Sequence, residues 1–581
     1  MPDKRKRAPA DEACRSAAVK RSRNTAAPDL LSPLSDELLV RILSYLPLQD
    51  LLNLAPVSDR FYHLSGDSQI WKRLYYSRFV LPRALRLPGF RDGSARDGKL
   101  HYSSRRTVWA DGRKGGWVDM RSGVDGEKRN WKKQYKLRHN WARGKCAVEE
   151  LPLEDGSGSL VADGSPKVLV KVLEGIAVTA DAATGLRAWD LRTKQLLAQV
   201  ALGDDGRSTT PSCMDLDDQS WQRGTLDIAT GFTDGSFGTW QLNTSEKQIT
   251  QTYRHEESSN GEIIGISFLY PYVLTATSSA LISLYTFDKP QPSRRPERAP
   301  EGLNGAVGGA SLNSLGSRGR SQPHTEPSAH STNDTPPAKS PAPYLLTSLK
   351  SHSARAPLAL ALRKTSGSTV ASIAYTFSTL RGWSLGIQEL HIHPPKSQES
   401  YPDITTTQLA YTLPVEEPSK YGASSPARRP RSVASHTDGN VHLDGPISLS
   451  YTHPYLLATL PDNTLVLHLC TSSSSLLSIS PGIRLWGHTS GISDAEITAR
   501  GKAVSVSCRG EEIRVWELEG RAHHGRSVEV RPTVKGGVLS VEDDRDRWDE
   551  RRNWVGFDDE MVIVLKESNE GRESLLVYDF T

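Results

Sequence analysis

One pattern recurs along most of this chain, and nothing else restricts the fold as much. Seven short runs rich in β-forming residues share a form, most with Trp or Tyr near their ends: "GLRAWDL" (185–191), "SFGTWQL" (236–242), "LISLYTF" (281–287), "WSLGIQELHI" (383–392), "TLVLHLC" (464–470), "EIRVWEL" (512–518) and "SLLVYDF" (574–580). Most follow an earlier apolar run, such as "GIAVTA", "LDIATG", "YVLTAT", "YLLATL", "AVSVSC" or "MVIVLK". A strand, a turn and a second strand of this kind form the middle of a propeller blade. The sequence therefore predicts an all-β propeller of seven blades over residues 145–581. The last run stands at the end of the chain, so its blade lacks an outer strand. "KCAVEEL" at 145–151 is expected to supply it and remove an open sheet edge.

This region resembles divergent WD repeats. One unit keeps the pattern best: Gly487-His488, then "GISDAEI", "AVSVSC" and "EIRVWEL", ending at Trp516. The resemblance implies that His488 is buried in a hydrogen-bonded network that fixes its blade. "TDGSFGTW" and "PDNTLVLH" keep the family's turn acid as Asp234 and Asp462, whereas Gly510 stands in the matching place before Trp516. Two stretches break the repeat. In residues 289–343 the only large apolar side chains are Leu303, Val307, Leu312 and Leu315. Such a stretch cannot offset its ordering entropy and reads as a disordered insertion. Residues 395–440 read the same way. Thr335-Pro336, Ser340-Pro341 and Ser425-Pro426 are proline-directed phosphorylation acceptors by sequence, but the plainer reading is unmodified linker.

Near the N-terminus lies "LSDELLVRILSYLPLQDLLNLAPVSDRF", Leu34 to Phe61, too apolar to stay in water. Leu34, Leu38, Leu39, Ile42, Leu43 and Leu46 form a wide stripe at helical period. Ser35 is placed to cap this helix, Asp36 and Glu37 suit its first turn, and Pro47 stops it. Three more short helices follow, carrying Leu51, Leu52 and Leu54, then Val57, Phe61 and Leu64, then Ile70, Trp71 and Leu74. So small a set makes a marginal core, and a partner often supplies the missing burial in such cases. Residues 34–74 closely resemble the F-box, with Ser35 where that family usually has Pro. The resemblance implies docking on a Skp-family adaptor and, through it, a cullin–RING ubiquitin ligase. It places Leu34, Leu38, Ile42, Leu46, Pro47 and Leu51 on the adaptor, with Val57, Phe61, Leu64 and Trp71 in the domain's own core. "WKKQYKLRHNWARGKC" at 131–146, through Trp131, Tyr135, Arg138 and Trp141, resembles the helical linker of F-box/WD-repeat proteins, which orients the two domains in that family.

Charge is concentrated at one end. The net charge is +5, and the first 23 residues alone account for it, leaving the rest balanced. The bulk of the chain thus has no excess with which to hold a phosphate backbone, and no nucleic acid is expected. Lys4, Arg5, Lys6 and Arg7, then Lys20, Arg21 and Arg23, resemble a bipartite nuclear import signal read by an importin. The alternative is a solvated tail with no address. The signal favours the nucleus over the cytoplasm. No apolar run is long enough to span a membrane, and the five cysteines show no C-x-x-C spacing, so neither a zinc site nor a disulfide framework is expected.

Catalytic motifs do not appear. "HEES" at 255–258 lacks a second metal-binding His, and His391 with His393 lack a third ligand. No cofactor and no catalysis are expected. The predicted organisation is a disordered tail at 1–30, the F-box at 31–82, an insertion at 83–130, the helical linker at 131–144 and the propeller at 145–581. By resemblance, the chain is a substrate receptor of an SCF-type ubiquitin ligase, with its protein client on the propeller face. The alternative is a nuclear scaffold that binds the adaptor without directing degradation. Family receptors that read phosphopeptides place arginines near the starts of inner strands. Gly265, Ser448, Ser493 and Val555 hold those places here, and none is Arg.

Overall fold

The structure, a computed structural model, describes residues 30–84, 130–153, 168–203, 210–288, 342–395, 402–414, 445–518, 526–532, 554–567 and 573–581, apart from interruptions of one to three residues within these spans. The basic tail, the bulk of the two insertions and the three Ser/Thr-Pro pairs named within them therefore lie outside the described residues. The chain divides into two compact units, residues 1–79 with 129–135, and residues 80–128 with 136–581.

The first unit is helical: α1 (Asp36–Leu43), α2 (Leu48–Leu54), α3 (Asp59–Ser65) and α4 (Ser68–Tyr75), with a further turn at Tyr76–Val80. Ser35 makes no side-chain cap bond to α1, contrary to its expected role. Arg60 takes over that end, donating to Asp36 Oδ1 (2.7 Å) and to the Leu34 carbonyl (2.6 Å). Ser58 caps α3 and Asp67 caps α4, accepting from the Phe61 and Gln69 amides. The core gathers Leu39, Leu43, Leu51, Leu64, Ile70, Trp71 and Tyr75. Trp71 donates to the Ser65 carbonyl (2.7 Å), so its indole N–H is satisfied inside this core. A helix at Trp131–Trp141 adds Trp131 and Tyr135 to it, through ring contacts with Tyr75 (5.5 Å) and Trp71 (5.4 Å).

The second unit is a ring of seven sheets, antiparallel except where Arg531–Pro532 joins the last one in parallel. All seven runs singled out in the sequence are third strands of their blades, from Gly185–Asp190 in the first to Glu573–Asp579 in the seventh. The first strand of each blade packs on those of its neighbours and closes the circle from Leu169–Leu173 round to Trp554–Phe557. Side chains on these inner strands, or just past their ends, tie one blade to the next. Asp215 accepts from the Phe268 amide, Ser267 from Leu362, Ser450 from Ile497, Asp494 from Val555, and Asp558 from Gly175. Lys145–Pro152 completes the last sheet, pairing antiparallel with Glu573–Asp579, so the two ends of the ring are joined as the sequence predicts. Trp141 packs beside this seam. Its ring stacks on Phe580 at 3.9 Å, and its indole N–H donates to the Asp559 carbonyl.

Candidate functional site: two partner-binding faces

The apolar stripe of α1 splits in two. Leu39 and Leu43 point into the core, whereas Leu38 and Ile42 are about half exposed, at 52% and 48%. Their spacing puts both on one side of the helix, with Tyr45 and Pro47 exposed beyond them and Leu34 and Leu46 half-buried. Two expectations need correction. Leu51, assigned to the adaptor, is fully buried, because α2 turns it onto the core. Val57, assigned to the core, is 64% exposed in the turn before α3. The sequence reading missed Leu52 and Tyr45, both exposed here. Tyr45 lies under the Arg73 guanidinium at 5.3 Å, which holds the ring at the surface.

The second face belongs to the propeller. Pairing alternates direction, so inner strands begin, second strands end, third strands begin and outer strands end at one side of the ring, here termed the upper face. Gly265, Ser448, Ser493 and Val555 lie at or near the starts of inner strands there, as expected. Arg355 opens the inner strand of the fourth blade on this face, an inner-strand start that is Arg after all. Four other arginines there are engaged within the protein. Arg187 is buried against Asp181 (3.2 Å) and the Leu153 carbonyl, Arg484 pairs with Asp462 (2.6 Å) and Arg514 with Glu512 (2.6 Å). Arg254 lies over Phe232 at 3.6 Å and donates to Ser236.

Around His488 the blade network forms with an unforeseen acid. His488 Nε2 and the Trp516 indole both bond Ser505 Oγ, at 2.6 and 2.8 Å. Glu512, two residues past Gly510, sits 3.4 Å from His488 Nδ1 and accepts from Thr489. Burial, opposed by Glu512, pushes the His488 pKa down to about 4, so the ring is neutral. Nearer the axis, Lys171, Asp215, Asp494 and Glu496 share one neighbourhood on inner strands of the first, second and sixth blades. Burial works against the Lys171 ammonium, but Glu496, Asp215 and Asp494 outweigh it and hold its pKa above the ordinary value. Burial pushes Glu496 up to about 7. Sequence reading missed this quartet, since its members are far apart in the chain and belong to no motif. Among the described residues no group of three or more His, Cys, Asp or Glu is placed to hold a metal ion, and no helix is long and apolar enough to cross a membrane.

Comparison with known proteins defines the class. Residues 36–77 match the F-box-like family, and residues 146–581 match the family described as F-box protein pof12 beta-propeller. A chain that joins an F-box to a propeller is of the general type of SCF substrate receptors, which typically act as non-catalytic adaptors. F-box domains generally bind a Skp adaptor and, through it, a cullin–RING ligase. The second match spans most of the chain, and the protein belongs to the F-box protein pof12 beta-propeller family. No curated protein matches it. Similar solved structures include the computationally designed Ika8 protein (13% identity, TM-score 0.34, covering 71% of this chain and 83% of that one). U3-55K is another (9%, 0.37, 74% and 98%), as are the RRP9 WD40 repeats (9%, 0.38, 74% and 97%).

Proposed function

We propose that this chain is the substrate-recognition subunit of an SCF-type ubiquitin ligase, with the adaptor on α1 and a protein client on the propeller. The observation that carries this reading is the division of α1. A helix needs only one row of leucines to build so small a core. Here Leu39 and Leu43 fill it, and Leu38 and Ile42 remain in water with Tyr45 beside them. Exposed apolar side chains grouped in this way mark a partner surface. The protein's contribution to the reaction is position: a client held near a loaded conjugating enzyme presents its lysines at high effective concentration.

The test is capture from cells with the intact chain and a Leu38→Asp, Ile42→Asp double variant. Both side chains face water, so the fold should survive. The intact chain is expected to retain adaptor and cullin and the variant to lose both, while propeller-bound proteins stay. At least one of those proteins should then live several-fold longer in cells expressing only the variant. If adaptor binding persists in the variant, the assignment of α1 is wrong. If the adaptor is lost and no lifetime changes, the chain is a scaffold.

A further inference from the structure

The fourth blade is taller than the third. Its second and third strands, Thr369–Thr379 and Gly382–His393, run 11 and 12 residues, against 6 each for Tyr272–Thr277 and Leu281–Thr286 in the third blade. The lower ends are level, since the Leu362 amide of the fourth blade donates to Ser267 of the third. The excess of five to six residues therefore stands above the upper face, by roughly 17–20 Å at the usual rise per strand residue.

Among the described residues, the side of this wall toward the third blade is apolar and exposed. Tyr375 packs in the core shared with that blade, Phe377 continues its row, and Tyr411 meets Phe377 at 5.5 Å. Leu409, Tyr411 and Leu413 alternate along the outer strand and its continuation, and they are 50%, 54% and 85% exposed. On the other side of the sheet Trp383 is buried and lies against Gly445, so only one side is available. Across the shorter third blade, the connection leading into its inner strand carries Glu256, Glu257 and Glu262, all exposed, with Ile264 beside them. The Ser278 amide donates to the Glu262 carbonyl, which fixes this acidic rim to the blade. The result is a trough over the third blade with one apolar wall and one acidic rim. Arg187, Arg484 and Arg514 on the same face are each paired to an acid.

We infer that the trough binds an extended, unphosphorylated segment of a partner protein that carries apolar and basic side chains. Calling that partner the client rests on the receptor reading above. The charge of the rim attracts Lys or Arg and repels phosphate, and the wall takes the apolar side chains.

The full-length chain in complex with its Skp adaptor is screened against synthetic peptides of randomised sequence, each made with and without phosphoserine, and the best binders are titrated by fluorescence anisotropy. Peptides pairing apolar residues with Lys or Arg are expected to win. Leu413→Asp should weaken them by about tenfold, as loss of an interface anchor does. Glu256→Gln with Glu262→Gln should weaken them several-fold and flatten the salt dependence, while adaptor affinity stays unchanged. Selection of phosphopeptides overturns the inference, as does affinity indifferent to both sets of substitutions. So does tight binding of only a peptide copying residues 415–444, which would make the wall a self-contact, or a solution dimer dispersed by Leu413→Asp. Peptide binding needs no degradation, so the inference and the receptor reading fail in different experiments.

Discussion

Ser505 carries more of the sixth blade than its size suggests. Its hydroxyl serves both His488 Nε2 and the Trp516 indole, and all three residues are buried or nearly so. Ser505→Ala strands two polar groups, each at a cost of about 1–3 kcal/mol, and should lower the urea midpoint accordingly. An unchanged midpoint would show the network to be ornamental. The same cluster gives a sign to the pH dependence. A histidine held down to about 4 in the folded chain takes up its proton on unfolding at pH values below its ordinary pKa of 6.5. The stability linked to His488 is therefore fully present above pH 6.5 and is lost as pH falls toward 4. Burial also lowers His453 to about 4, with Arg363 adding to the effect, so it contributes in the same window. Glu496, held up to about 7, acts with the opposite sign over the same window, so the histidine contribution is read as the difference in the pH slope of stability between the intact chain and a His488 variant. His488→Gln should remove about 1.4 kcal/mol per pH unit of that slope. An unaltered slope in the variant would mean the imidazole is already charged in the fold.

Among the secondary-structure elements, the closing strand Lys145–Pro152 matters most to the ring, because it joins the two ends of the chain's largest unit. Gly144 makes the turn into it possible. Its φ is +65°, and a Cβ there would lie 2.1 Å from the Glu529 carbonyl oxygen, a backbone atom that cannot step aside. Gly144→Val should destabilise the ring by about 2 kcal/mol or more and leave adaptor affinity intact, which denaturation and calorimetric titration would separate. Wild-type stability in the variant would mean the seam is not under this constraint. That closure was legible in the sequence, as were all seven third strands, because burial on both faces of these strands forces apolar, β-branched and aromatic residues into recognisable runs. The α1 stripe was legible as a stripe. Its division was not, since Leu38 and Leu39 are the same residue type and only the packing of α3 beneath them decides which is buried. Leu51 and Val57 were misplaced for the same reason. The run "WSLGIQELHI" does not show how far its blade rises above its neighbours, and Glu512 lies two residues past Gly510, outside the turn position where the family keeps its acid. The inner-strand quartet of Lys171, Asp215, Asp494 and Glu496 is a property of ring closure, which no local pattern encodes.

At the scale of the whole molecule, the two units differ in how much each can stabilise itself. The ring buries a continuous series of apolar clusters between its blades. The helical unit rests on a handful of side chains and leaves Leu38, Ile42, Tyr45, Leu52, Val57 and Tyr62 in water. A core of that size is marginal, and a ligand that binds only the folded form adds stability in proportion to the logarithm of its saturation. Scanning calorimetry of the isolated full chain should therefore show the helical unit unfolding first, below the main transition of the ring. Adaptor at about a hundred times its dissociation constant should stabilise the lower transition by about 2.7 kcal/mol and leave the upper one in place. The Leu38→Asp, Ile42→Asp variant should keep both transitions and lose the shift, because its lesions lie on the exposed row and spare Leu39 and Leu43. If the adaptor raised both transitions together, the units would unfold as one body. The open row of α1 would then have no separate instability for the adaptor to relieve.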